Sequence, residues 1–156
     1  MKRFHVNISV SDLQKSVRFY EQLFAQEPTT LKNDYAKWML DDPKINFSLT
    51  THGSHKGIDH IGLQSEDKAE FEELRERLHE ADMSTFEQPD VTCCYAQSSK
   101  SWVRDPDNVA WETFVSLGDS SVYDDGSETT SHRFANSEVS NAETASAQSD
   151  QSRCCG

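Results

Sequence analysis

The sequence predicts an α+β fold in which two tandem β-α-β-β-β units join into one curved mixed sheet with the helices outside. Three observations predict it. A strand-like alternation leading into a capped amphipathic helix occurs at Phe4–Phe24 and returns at Ile58–Leu78. His5, on the polar face of the first strand, returns as His60 after 55 residues. Beyond about Leu117 aliphatic residues nearly vanish, so the folded part ends there. One unit alone would leave a sheet face bare, so two must share a sheet. The units span about 3–51 and 57–117 within a domain of 1–118.

The elements follow in order. From Phe4 to Val10, Val6, Ile8 and Val10 lie on one face and His5, Asn7 and Ser9 on the other, the pattern of a half-buried strand. Ser11-Asp12-Leu13-Gln14 fits a capping box, with Ser11 accepting and Gln14 reaching back. Leu13, Val17, Tyr20 and Phe24 then stripe a helix over Asp12–Phe24. Strands follow at about Glu27–Leu31, Tyr35–Leu40 and Ile45–Thr51, the last two separated by a turn at Asp41-Asp42-Pro43. Thr51 to Gly57 is a polar linker. In the second unit Ile61 and Leu63 face one way, and Ile58, His60, Gly62 and Gln64 the other. Asp67 with Glu70 makes the second cap, and Phe71, Leu74 and Leu78 stripe the second helix. Strands are expected near Thr85–Gln88, at Cys94–Ala96 leading to Trp102–Arg104, and at Val109–Val115, with a turn at Asp105–Asn108. Residues 119–156 read as a disordered, acidic, Ser-rich tail that ends in Cys154-Cys155-Gly156.

Composition narrows the partners. A chain of 156 residues with net charge −12 and 35% hydrophobic content is soluble and acidic, and it repels a phosphate backbone, so no nucleic acid is expected. No apolar run approaches the ~20 residues of a membrane helix, so no membrane is expected. The N-terminus lacks the apolar segment of a signal peptide, which predicts a cytoplasmic protein. The four cysteines form two adjacent pairs, Cys93-Cys94 and Cys154-Cys155, which suits free thiols better than a disulfide framework.

Three residues form a candidate metal site. His5, His60 and Glu112 each lie opposite their strand's aliphatic set, and three strands could converge them in one concavity. Two imidazoles and one carboxylate on one side of an ion leave positions open for substrate and dioxygen. This suits non-haem Fe(II), and Mn(II), Ni(II), Co(II) or Zn(II) would fit the same atoms. The bland alternative is that each is a hydrogen-bonded cleft residue. His52, His55, His79 and His132 read as solvated. Neighbouring side chains on a strand point to opposite faces, so Cys93 and Cys94 can chelate together only from a loop or a bulge. Otherwise one is a core cysteine and the other a partly exposed thiol.

These residues match a family. The duplicated pattern with His5, His60 and Glu112 resembles the vicinal oxygen chelate superfamily of glyoxalases, extradiol dioxygenases and bleomycin or fosfomycin resistance proteins. Phe19-Tyr-Glu-Gln-Leu-Phe24, Asp59-His60-Ile61-Gly62, Thr92-Cys-Cys-Tyr-Ala96, Lys100-Ser-Trp-Val103 and Trp111-Glu112 look like its branch of organoarsenical carbon–arsenic lyases and cadmium-induced proteins. The match covers about residues 3–118. The resemblance implies Fe(II)- and O2-dependent cleavage of trivalent organoarsenicals, either methylarsenite or reduced aromatic arsenicals, to arsenite. It implies arsenic held by Cys93 and Cys94, metal held by His5, His60 and Glu112, and catalysis at His60 and Glu112. Members of the fold often pair their units across a homodimer, so a dimer is compatible with the resemblance. The rivals are a protein that sequesters cadmium or arsenite without turnover, and another enzyme of the superfamily such as a dioxygenase or glyoxalase.

Overall fold

The structure, a computed structural model, describes residues 1–53, 55–93 and 96–119, with side chains for 1–53, 55–91 and 96–118. In chain order the elements are β1 (Arg3–Ser9), α1 (Leu13–Phe24), β2 (Thr30–Leu31), β3 (Tyr35–Asp41) and β4 (Lys44–Thr50). After the linker come β5 (Gly57–Ser65), α2 (Lys68–Glu80), β6 (Phe86–Cys93), β7 (Ala96–Arg104) and β8 (Ala110–Asp119). The expected strand at Val109–Val115 is β8. Cys94, with which another strand was expected to begin, and the expected tail from 120 on lie outside the described residues, as do His132, Cys154 and Cys155.

Among the described residues the eight strands form one sheet, in the order β2-β3-β4-β1-β5-β8-β7-β6. The order is symmetric about the β1–β5 seam. Strand β1 pairs parallel to β4 and β5 parallel to β8, while β1 and β5 run antiparallel to each other. This is the vicinal oxygen chelate arrangement, with the first strand of each unit at the centre.

Helix α1 starts differently from the expected box. Asp12, not Ser11, is the N-cap, in an extended conformation with its carboxylate accepting from the Lys15 amide at 2.9 Å. Asp67 caps α2 as expected, accepting from the Glu70 amide at 2.9 Å, and Glu70 accepts in turn from the Glu66 amide at 3.0 Å. The apolar stripe of α1 packs on a core of Leu13, Val17, Ala36, Trp38, Leu40, Phe47 and Leu49.

The polar face of β1 is not its wet face. His5, Asn7 and Ser9 are buried, whereas Val6 and Ile8 are half-buried. On β4, Asn46, Ser48 and Thr50 are buried as well. The sheet curls so that its polar side becomes an interior, and buried polar groups there must find partners. That lined interior positions the site.

Candidate metal centre

The three predicted ligands come together from the three central strands. His5 Nε2 and His60 Nε2 are 3.2 Å apart, and Glu112 Oε2 is 3.5 Å from each. Their placement follows from register. His5 pairs with Gly62, and Gly62 pairs with Glu112, so one row across β1, β5 and β8 reads His5–Gly62–Glu112. Glycine at the middle leaves no side chain between the two ligands. It also admits the β8 backbone, because a Cβ on Gly62 would sit 2.0 Å from the Glu112 carbonyl oxygen.

Hydrogen bonds on the far side of each ring orient the donors. His5 Nδ1 lies 3.0 Å from the Asn46 carbonyl oxygen, and His60 Nδ1 lies 2.7 Å from Asp59 Oδ2. Both partners only accept, so each Nδ1 carries a hydrogen, and each Nε2, when its ring is neutral, turns a lone pair toward the other. Two lone pairs and a carboxylate oxygen facing one another are a donor set for a cation. A first-row divalent ion with bonds of about 2.1 Å needs ligand atoms about 3.0 to 3.4 Å apart for octahedral to tetrahedral angles. Separations of 3.2, 3.5 and 3.5 Å fit such an ion.

Charge is arranged around this set. Lys100 Nζ sits 2.6 Å from Glu112 Oε1, so one carboxylate oxygen faces the ammonium and the other faces the histidines. The Lys100 ammonium also lies 5.7 Å from the Trp102 ring centre and 5.9 Å from that of Phe114. Burial alone would raise the Glu112 carboxyl, but Lys100 and His60 outweigh it and hold it ionised, well below the usual carboxylate range. Burial lowers His5 to about 4. Burial pulls His60 down as well, yet its hydrogen bonds to Asp59 and Glu112 win and raise it to about 9. In the metal-free site a proton on His60 therefore stands where a cation would bind. The edges of the histidines are walled by Phe114, 5.2 Å from His5, and Trp102, 5.0 Å from His60.

Three participants escaped the sequence reading. The strand pattern assigns Asp59 no face, and regular alternation would point it away from His60; a bulge between Asn7 and Ile8 of the β1–β5 ladder brings the two side chains together. Asn46 contributes through its backbone, which no side-chain pattern reveals. Lys100, read as part of a motif only, is 8% exposed and paired with a ligand. The pairing of His60 with an adjacent carboxylate was the one available signal.

The backbone of Cys93 stands apart from this centre. The backbone of Cys93 ends β6 and pairs with Ala96, six residues along β7 from Trp102, the register partner of Glu112. That is about 20 Å of strand at about 3.3 Å per residue. Bulges at Gln88/Val91 and Gln97/Ser98 bend the hairpin between. Cys94 lies outside the described residues. Of the other histidines, His52 is exposed and lies 2.8 Å from Asp34 Oδ2, and His55 and His79 are exposed.

Comparison with known proteins bears on the family and the fold. The family model "Glyoxalase/Bleomycin resistance protein/Dioxygenase superfamily" matches residues 2–113. The chain is 36% identical over 162 residues, 99% of each chain, to "Trivalent organoarsenical cleaving enzyme" of Bacillus sp. (strain MD1). It is 31% identical over 127 residues, 81% of this chain and 84% of the relative, to "Cadmium-induced protein CadI" of Mycobacterium bovis. Among solved structures, the Mn(II)-bound glyoxalase from Novosphingobium aromaticivorans aligns with a TM-score of 0.55 at 18% identity, over 80% of this chain and 43% of that one. Homoprotocatechuate 2,3-dioxygenase from Arthrobacter globiformis gives 0.55 at 18%, over 74% and 36%. Both share the fold. With its duplicated half-sheets, its seam of two histidines and a glutamate, a family model that matches residues 2–113 and a relative that matches along nearly the whole chain, this protein belongs to the glyoxalase/bleomycin resistance protein/dioxygenase superfamily.

Proposed function

We propose that this protein is an Fe(II)- and O2-dependent carbon–arsenic lyase that cleaves trivalent organoarsenicals, methylarsenite or reduced aromatic arsenicals, to arsenite and so confers arsenic resistance. The observation that carries the reading is the convergence of His5, His60 and Glu112 on one point of a buried concavity. The name of the relative that is 36% identical over 99% of both chains supports the substrate class.

His5, His60 and Glu112 would hold the metal through Nε2, Nε2 and Oε2. Ferrous iron bound there supplies the activation of dioxygen, which no side chain can perform. The protein's own groups do the rest. Lys100 keeps Glu112 ionised and holds its second oxygen away from the ligand position. Phe114 and Trp102 keep water from the imidazole edges. Cys93 and Cys94 would hold arsenic as thiolates, a soft ligand pair for a soft centre, and so position the carbon–arsenic bond. Sheet curvature and the two hairpin bulges, rather than straight-strand length, set how near they come to the metal.

The overall chemistry closes without a further reductant. Methylarsenite, CH3As(OH)2, plus O2 balances to As(OH)3 plus formaldehyde, with carbon giving four electrons and dioxygen taking four. The protein is to be reconstituted anaerobically with Fe(II), then given methylarsenite and air, with oxygen, arsenite and formaldehyde followed together. Equal amounts of O2 consumed and arsenite released, lost in Glu112→Ala and in Cys93→Ser, are the expected result. Tight arsenical binding through the cysteines with no oxygen uptake would favour sequestration instead. That second reading draws on the relative named for cadmium induction.

A further inference from the structure

A bulge in β5 changes which side chain faces the metal centre. Regular alternation would send Asp59 to the helix-bearing face. Instead Asn7 pairs with His60 and Ile8 with Ile58, so Asp59 is the extra residue and turns onto the concave face beside His60. There its Oδ2 accepts from His60 Nδ1 at 2.7 Å and from Asn7 Nδ2 at a longer 3.5 Å. Asn7 is buried, and its Oδ1 accepts from the Ser48 hydroxyl at 2.8 Å. Ser48 is 2% exposed, on β4. A chain of polar groups thus runs from β4 through β1 to β5 and ends on the far nitrogen of one ligand ring.

The linker covers the chain's outer end. Gly53 passes so near that a Cβ there would lie 2.4 Å from Ser9 Oγ and 3.3 Å from Asp59 Oδ1. A glycine at this place lets the linker backbone lie against Ser9 and Asp59, while the Asp59 side chain keeps 29% exposure. A carboxylate partly withdrawn from water makes a stronger, better-directed bond to an imidazole than a fully solvated one.

We infer that Asp59, braced by Asn7 and Ser48, is the positioning residue that fixes the His60 ring and its Nδ1–H tautomer, making His60 the dominant imidazole donor of the pair. His5, whose partner is the neutral Asn46 carbonyl, is the weaker donor. The inference rests on the metal-site reading for its consequence, though not for the hydrogen bond itself.

Two measurements on the full-length protein separate the two. Nitrogen-15 NMR of the histidine rings, taken metal-free at alkaline pH where the His60 ring is neutral, reports the tautomer, and titration with Co(II) reports affinity and the visible spectrum of the bound ion. In Asp59→Ala the His60 tautomer signature should be lost and Co(II) binding weaken roughly 10- to 100-fold, as is typical when such an outer partner is removed. Asp59→Asn keeps shape and one accepting oxygen, so it should recover part of the affinity, and Asn7→Ala should move both readouts the same way by less. Thermal melting establishes that each variant is folded, and the isosteric Asp59→Asn serves where Asp59→Ala is not. Unchanged ring signals and unchanged Co(II) affinity in the folded Asp59 variants would overturn the inference. Wild-type protein that binds no Co(II) would sink the metal reading, while the ring signals would still decide the Asp59 link.

Discussion

The two units share a plan but are held together by different physics. In the first, Tyr20, Phe24, Trp38 and Phe47 interlock under α1, with ring centres 4.5 to 6.2 Å apart. In the second, α2 buries Phe71 and Leu74, as α1 buries Leu13 and Val17, but the buried set on β7 and β8 includes Lys100, Glu112, Ser98 and Ser101. Their edges differ as well, β2 having 2 residues and β6 having 8. The first unit behaves as a scaffold that presents His5. The second spends its interior on charge and carries the carboxylate and its counter-ion. Duplication supplied two equivalent histidine positions, and divergence of the interiors made one half structural and the other chemical.

The largest expected effect tests the scaffold. Trp38→Ala, at a position with no exposure, should cost about 4 kcal/mol of stability, near the middle of the range for aromatic truncation. Phe71→Ala in the second unit should cost less, about 3 kcal/mol, at the low end of the same range. Urea denaturation of both variants makes the comparison, and a greater loss at Phe71 would contradict it.

Next comes the ionic half. Lys100→Met leaves the Glu112 carboxylate buried without its counter-charge and should cost about 3 kcal/mol in metal-free protein. Added divalent metal should restore part of that loss, because a cation at Oε2 replaces the missing charge. A Lys100→Met protein as stable as wild type, with or without metal, would show that packing holds the second unit too.

The seam between the units should be sensitive to one methyl group. Gly62→Ala drives a Cβ into the Glu112 carbonyl and should cost roughly 1 to 3 kcal/mol by overpacking, with weakened metal binding as β8 shifts. Melting and Co(II) titration read the two effects separately.

The smallest effect is on pH dependence, where opposite shifts meet. His60 has a folded value near 9 against an ordinary 6.5, so its contribution is complete below 6.5 and is lost as pH rises toward 9. His5 has a folded value near 4, so the stability lost by charging it appears as pH falls from 6.5 toward 4, and the depressed Glu112 adds to that acid limb. Metal-free protein should be most stable near pH 6.5. His60→Gln should flatten the alkaline limb and, because His60 also depresses His5 and Glu112, soften the acid one.

Much of this was legible in the residues. Alternation put His5, His60 and Glu112 on polar faces, and duplication brought two of them to equivalent strands. The remainder turned on interactions that periodicity does not encode. A bulge adds one residue and reverses facing, so Asp59 could not be placed by counting. A strand lysine reads as solvated until a buried carboxylate is known to lie across the ladder. The cap passed from Ser11 to Asp12 because both are good acceptors and only the first helical turn chooses between them. The burial of Asn7, Ser9, Ser48 and Thr50 follows from sheet curvature, which no single strand displays.

The central claim is that the seam between the units binds a divalent metal through His5, His60 and Glu112. The most direct test is anomalous diffraction at the iron edge from crystals loaded anaerobically with Fe(II). The account predicts one strong peak per chain, enclosed by the two Nε2 atoms and Glu112 Oε2, with Lys100 still on Oε1. A peak at the cysteines with none at the seam would contradict it.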